Sequence, residues 1–221
     1  MAHSLKIDQN TPIHEIDTIN NPNTKTLIDR YVFASNWCKG KHVLDAASGH
    51  CYGGLILNAL GAKSVVCGDI DNEALDNAGV RYRSTQMQFL HSLDLGKPFP
   101  DYFTDNFDGI VSIETFEHVP KNSVNQMLNN FKLACKNGGN IIITTPQRFV
   151  PEFKYVEGST HLYEYSINEF YEELSKVFSN IELWYAVEFR HPASNELNTV
   201  FTKNPEWSDK AAVMVAVITN D

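Results

Sequence analysis

His42-Val43-Leu44-Asp45-Ala46-Ala47-Ser48-Gly49-His50-Cys51-Tyr52-Gly53-Gly54 is the stretch that decides the fold of this 221-residue chain. Apolar or β-forming positions lead into an acid, Asp45, and the chain then turns abruptly small and Gly-rich. Leu55-Ile56-Leu57-Asn58-Ala59-Leu60 follows, apolar enough to pack a helix on a sheet. A buried strand, a tight loop and a helix N-terminus in that order open a nucleotide-binding βαβ unit. Gly49 and Gly53 let the backbone approach a ligand closely, having no Cβ to clash.

Such a loop alone is also compatible with a plain βα turn. The distance to the next acid makes it more specific. Ser64-Val65-Val66-Cys67-Gly68-Asp69 is a second short apolar strand ending in a carboxylate, about twenty residues beyond the first loop. A carboxylate at that place can accept hydrogen bonds from both ribose hydroxyls of an adenosine.

With these two segments the chain resembles the class I S-adenosylmethionine-dependent methyltransferases, and the resemblance runs over most of its length. Residues 43–53 are similar to the first motif of that superfamily, and Val66-Cys67-Gly68-Asp69-Ile70-Asp71 to its ribose-binding strand end. Residues 106–112 followed by Glu114-Thr115-Phe116-Glu117-His118-Val119 resemble the fourth strand and its active-site exit. Asn137-Gly138-Gly139 and Ile141 to Pro146 resemble the turn and fifth strand. The first motif departs from the pattern at two of three alternating glycines: Ala47 and Cys51 stand there, and the Cys51 side chain falls where the cofactor's methionine moiety usually passes.

The resemblance implies a doubly wound, Rossmann-like α/β fold. Its seven-stranded sheet is mostly parallel, with helices on both faces and an antiparallel last strand inserted between the fifth and sixth. It implies S-adenosyl-L-methionine as cofactor, held by Asp45, Ala47, Gly49, Tyr52, Asp69, Ile70, Asp94 and Glu114, with Asp94 taking the adenine amino group. Ligands in such sheets bind at the carboxyl ends of the strands.

Composition agrees with a single soluble domain. Apolar residues make up 43% and charged ones 20%, and the length suffices to bury a sizeable core. A net charge of −9 argues against a broad nucleic-acid footprint, which needs clustered Lys and Arg. No apolar run approaches the roughly 20 residues of a membrane span, and the N-terminus lacks the basic-then-apolar layout of a signal peptide. Four scattered cysteines with no metal-type CxxC pair point to reduced thiols and a cytoplasmic location.

Polar residues 1–22, broken by Pro12 and Pro22, read as an N-terminal arm preceding a domain over 23–221. Apolar spacing predicts a helix from Thr24 to Trp37, with Tyr31 in its core stripe. Strands follow at Val43–Ala46, Ser64–Gly68, Gln86–Leu90, after residue 106, and at Ile141–Thr145. Helices are expected at Gly53–Leu60, Asn72–Tyr82 (capped by Asp71), Asn122–Cys135 and Ile167–Phe178. Ile181–Phe189 and Ala211–Thr219 are the last two strands. Pro146–Thr160 reads as a substrate lid and Arg190–Lys210 as a polar, irregular insertion.

Glu114, Glu117 and His118 fall on one side of a helical turn after the fourth strand, at offsets of three and four. Two carboxylates and an imidazole can bind a divalent cation such as Mg²⁺, with His161 returning as a fourth ligand. Glu-x-x-Glu-His with a later His resembles two metal-dependent branches: the ubiquinone-pathway O-methyltransferases and the small-RNA 3′-end 2′-O-methyltransferases. In both, the cation binds adjacent hydroxyls of the acceptor. The same residues support a second reading, in which His118 is the general base, assisted by Glu117 and Glu114. Phe116, Arg148 and His161 are expected to face the acceptor, with Phe149, Phe153 and Tyr155 at the pocket mouth. The function that follows is O-methylation of a small hydroxylated molecule (a sugar, phenol or quinone-like acceptor). RNA 2′-O-methylation and a non-catalytic binding protein are the alternatives.

Overall fold

In β1 (His42–Ala46), Val43 and Leu44 are both buried but point to opposite faces, as the two-residue period of a strand requires. The same alternation in β5 (Cys135–Pro146) sends Ile141 and Ile143 to one apolar core and Ile142 to the other. A sheet buried on both faces needs helices on both, and the connections supply them. The computed structural model describes residues 22–82, 87–148, 160–190, 192 and 197–221. The expected arm, apart from Pro22, and the pocket-mouth aromatics Phe149, Phe153 and Tyr155 lie outside the described residues.

The chain runs α1 (Pro22–Ala34), β1, α2 (Tyr52–Ala59), β2 (Ser64–Gly68), α3 (Asn72–Arg81), β3 (Met87–Leu90) and β4 (Phe107–Ser112). It continues with α4 (Val124–Ala134), β5, α5 (Ile167–Ser175), β6 (Ile181–Arg190), β7 (Leu197–Thr202) and β8 (Val213–Thr219). Strand order is β3-β2-β1-β4-β5-β8-β6-β7. The first five are parallel neighbours, and β8 lies antiparallel between β5 and β6. This is the expected doubly wound architecture, with the last strand inserted as the resemblance implied.

Among the described residues the sheet has eight strands rather than seven. The additional one, β7, occupies part of the stretch read as irregular and pairs antiparallel with β6, from Tyr185↔Thr202 to Arg190↔Leu197. Its inner residue Phe201 stacks on Phe33 of α1, with ring centroids 4.2 Å apart. Helix starts follow the sequence. Asp71 Oδ1 accepts the Ala74 N–H, and Ser166 and Glu169 form a reciprocal capping box at the start of α5.

At the N-terminus of α2 the helix packs under α1 without a side chain between them. A Cβ on Gly53 would collide with the ring of Tyr31, so glycine is what permits this approach. The consequence is functional: Tyr31 Oη reaches Asp45 Oδ1 at 3.1 Å, tying α1 to the end of β1 where the loop begins.

Candidate active site

The β1–α2 loop keeps a glycine-like backbone without all of its glycines. Ala47, Gly49 and Cys51 alternate in the left-handed region at φ 62, 50 and 61°. For Ala47 and Cys51 this conformation costs roughly 1–2 kcal/mol each, because Cβ crowds the following carbonyl. Hydrogen bonds hold the loop in place: Ser48 N–H donates to Gly68 O at 3.0 Å and Cys51 N–H to Ser48 O at 2.8 Å. Gly49 N–H donates to Asp69 Oδ2 at 2.7 Å, and Asp69 Oδ1 accepts from the Asp71 N–H at 2.8 Å. Asp69 therefore fixes the loop in addition to its expected ribose contact, since each carboxylate oxygen retains a second lone pair. Ala47→Gly is expected to stabilise the protein by about 1 kcal/mol, the relief of strain outweighing the added unfolded-state entropy. Urea unfolding will show this as a raised midpoint with unchanged slope.

Cys51 does not obstruct the loop's open side. Its thiol is fully buried, 3.6 Å from Ser48 Oγ and from Gly49 O, and packs with Cys67 in the core beneath. All four cysteines are free and buried.

Against this loop lies a cavity of about 400 Å³, running along the carboxyl ends of the parallel strands. Ala47, Asp69, Ile70 and Leu93 line one side, and Thr115 and His118 the other. Its size is that of a cofactor cleft. Asp94 stands at its edge, accepting the Gly96 N–H at 2.9 Å and pairing with Lys97 at 2.9 Å; the lysine holds its carboxyl below the usual range. Asp45 stands behind the loop, fully buried, and its Oδ2 has no hydrogen-bond partner. Burial pushes its carboxyl up to about 7, with Tyr31 opposing and Asp69 adding to the rise. An orphaned buried carboxylate oxygen beside a strained anchoring loop fits a ligand bearing positive charge, and S-adenosylmethionine carries an ammonium and a sulfonium.

At the far end of the cavity a 3₁₀ turn, Phe116–His118, follows β4. Glu117 Oε1 lies 3.7 Å from His118 Nε2 and 4.0 Å from His161 Nε2, and the three ligand atoms sit within 4.8 Å of one another. Each group is held from behind. Glu117 Oε2 accepts from Thr145 Oγ1 at 2.9 Å, His118 Nδ1 lies 2.9 Å from Thr160 O, and His161 Nδ1 lies 2.8 Å from Glu164 Oε1. Burial, reinforced by Glu114, pushes the Glu117 carboxyl up to about 8.

Several expected site residues are placed elsewhere. Glu114 stands outside the Glu117–His118–His161 group. Held at φ 52°, it accepts from Thr144 Oγ1 at 2.7 Å and faces Arg30 at 3.9 Å. Tyr52 does not line the cavity: it is 37% exposed, and its Oη accepts from Arg81 at 3.4 Å on the outer surface. Phe116 is fully buried, edge-on to Tyr165 and Phe170, and belongs to the core rather than to an acceptor pocket. Arg148 is committed to protein partners: Glu169 at 2.8 Å, Glu164 O at 2.9 Å and Tyr163 Oη at 3.5 Å. Its guanidinium fastens the 160–165 segment. Reasoning from sequence missed Tyr31, Arg30 and Thr145 as site residues, which no local motif marks, and took Glu164 only as part of the segment closing the acceptor mouth.

The cleft thus lies at the carboxyl edge of a doubly wound sheet, the place where sheets of this kind bind their ligands. Residues 43–139 match a family model described as a methyltransferase domain. A chain in the complex of the Haloferax volcanii Trm112 methyltransferase activator with its putative methyltransferase is similar in structure. Its TM-score is 0.67 at 17% identity, covering 93% of this chain and 95% of that one. A Thermotoga maritima S-adenosylmethionine-dependent methyltransferase, described as a possible histamine N-methyltransferase, gives 0.68 at 14% identity over 95% and 96%. One from Mesorhizobium loti gives 0.62 at 15% over 89% and 97%. No curated protein matches the sequence. The match to the methyltransferase-domain model covers residues 43–139, and the solved structures share the fold along most of the chain. Among the described residues, no helix is long and apolar enough to cross a membrane.

Proposed function

We propose that this methyltransferase transfers its methyl group to a hydroxyl oxygen of a small acceptor, a sugar, phenol or quinone-like molecule, with a divalent cation at Glu117, His118 and His161. One observation carries the reading. Three ligand atoms from two separate segments converge beside the cavity, and the opposite atom of each side chain is tied to the protein. That is the arrangement of metal-binding imidazoles, whose second nitrogen donates to a carbonyl or carboxylate. Two histidines and a carboxylate with open positions suit a divalent metal that also takes acceptor oxygens.

Asp69 and Asp94 are the residues to hold the ribose and adenine, and Asp45 the residue to balance the cofactor's positive charge. Bound S-adenosylmethionine supplies an already activated methyl, so the protein's task is alignment and removal of the acceptor proton. A cation lowers a hydroxyl's pKa in place of a strong base. His118 serves a second reading without the cation. It lines the cavity and its Nε2 lone pair is free to take the proton directly, because Nδ1 faces a carbonyl that can only accept.

Calorimetric titration with S-adenosylhomocysteine tests the cofactor site, and micromolar affinity is expected. Methyl transfer to catechols and sugar diols is then followed with Mg²⁺ or Mn²⁺ and after chelation. Full activity in the chelated protein removes the cation; transfer to amines alone removes the hydroxyl acceptor. Absence of binding at millimolar ligand removes the cofactor site itself.

A further inference from the structure

Two adjacent threonines at the end of β5 divide between them the two acids that follow β4. β4 pairs with β5 only as far as Ser112↔Ile143, whereas β8 continues through Thr145↔Met214 to Pro146↔Val213. Thr144 and Thr145 are therefore fixed by β8 on one side and lie beside the β4 exit on the other. Side chains alternate along a strand, so Thr145 shares the face of Ile141 and Ile143, and Thr144 that of Ile142. Thr144 Oγ1 accepts the Glu114 N–H at 3.0 Å and donates to Glu114 Oε1 at 2.7 Å, where Arg30 of α1 approaches the same carboxylate. On the opposite face Thr145 Oγ1 donates to Glu117 Oε2 at 2.9 Å.

The main chain of Glu117 is settled by other means. Its carbonyl accepts the Leu162 and Tyr163 N–H groups at 2.8 and 3.1 Å, which leaves the side-chain torsions open. Glu117 and Thr145 are both buried, so solvent does not compete for their contact. A hydrogen bond to a carboxylate is directional and stronger than one between neutral groups. The hydroxyl that makes it sits on a β-branched side chain with a restricted χ1. It occupies Oε2 and leaves the other oxygen, Oε1, 3.7 Å from Nε2 of His118, which lines the cavity.

We propose that Thr145 is a positioning residue for the methyl-transfer site, its buried hydroxyl holding the Glu117 carboxylate with Oε1 toward His118. The proposal rests on the reading of Glu117 and His118 as that site, and it adds a residue that does not itself line the cavity. Without the hydroxyl, Glu117 keeps its backbone place and loses the contact that selects its rotamer.

The test compares wild type with Thr145→Val, which keeps the β-branched shape without the hydroxyl, and Thr145→Ser, which restores it. Thermal melts confirm folding, and Thr145→Cys, a weak donor, takes the place of Thr145→Val should that variant not fold. Crystal structures of the metal-free proteins show the Glu117 rotamer, and calorimetry with Mn²⁺ gives the metal affinity. Initial rates with catechol and sugar-diol acceptors separate kcat from the KM for S-adenosylmethionine. Glu117 Oε1 should stay toward His118 in wild type and Thr145→Ser and swing away in Thr145→Val. Mn²⁺ affinity and kcat should fall about ten- to hundredfold in Thr145→Val and recover in Thr145→Ser, with the cofactor KM unchanged. A Glu117 rotamer that survives in folded Thr145→Val overturns the proposal, whatever Mn²⁺ does. So does a displaced carboxylate with Mn²⁺ affinity and kcat both at wild-type values. If wild type binds no Mn²⁺ but kcat falls with the displaced carboxylate and recovers in Thr145→Ser, the cation reading falls and the positioning role stands. A wild type that neither binds Mn²⁺ nor methylates these acceptors removes the reading of the site, and the proposal with it.

Discussion

Replacing Glu117 by glutamine will lower methyl transfer by at least about a hundredfold while leaving cofactor affinity near the wild-type value, because the change falls at the acceptor end of the cavity. The amide matches the carboxylate in size and can still accept from Thr145 Oγ1, so the fold has little reason to fail. It loses the capacity to ionise toward a cation at the oxygen that faces His118 and His161. Stability separates this from unfolding. Burial has raised the Glu117 carboxyl to about 8, so its ionised form is disfavoured in the folded state, and above that pH the neutral glutamine should melt no earlier than wild type. His118→Ala should reduce turnover in the same way. Retention of more than about a tenth of wild-type turnover in both variants would discard the site as the catalytic centre.

Legibility in the sequence followed contiguity. Asp45, the alternating loop and Asp69 are two short segments whose geometry is fixed by a strand end and a helix start, so residue type and spacing were enough to place them. Glu117 and His118 were readable because one tight turn carries both, while His161 needed the family resemblance to bring it back across a long connection. The misplacements concern orientation, which packing decides. Phe116, between two acids in the chain, turns into the core because Tyr165 and Phe170 await it there. Arg148 looked like a free cation at a pocket mouth, but Glu169, placed by its own capping box, claims it. Glu114 precedes the turn that carries Glu117, and its left-handed backbone and the Thr144 hydroxyl point it away. Strand β7 escaped notice because Leu197-Asn198-Thr199-Val200-Phe201-Thr202 mixes polar and apolar residues, and its strand character depends on pairing with β6 and on Phe33.

Cofactor affinity will tighten as pH rises from about 5.5 to 8, and Asp45 is the reason. Its folded-state carboxyl lies near 7, far above the unfolded value, through burial and the neighbouring Asp69. Tyr31 donates to it, and the buried thiols of Cys38, Cys51 and Cys67 also face it. In the ligand-free protein the sign is unfavourable to high pH. The folded state holds a proton the unfolded chain has already released, so this contribution to stability is full below about 4 and is lost as pH rises through 7. Glu117 acts in the same direction, through about 8. A cationic ligand reverses the balance at Asp45, because its charge favours the ionised form that burial disfavours. Below pH 7 each unit therefore weakens binding by up to about tenfold, and near neutrality binding releases up to one proton. Calorimetry in two buffers of different ionisation enthalpy measures that release directly. Asp45→Asn should bind more weakly at pH 8 and lose most of the pH dependence, and Glu117→Gln should keep it. A flat affinity profile in wild type would mean that the orphaned Oδ2 does not serve the cofactor's charge, and the balance of that charge would then have to come from Asp69.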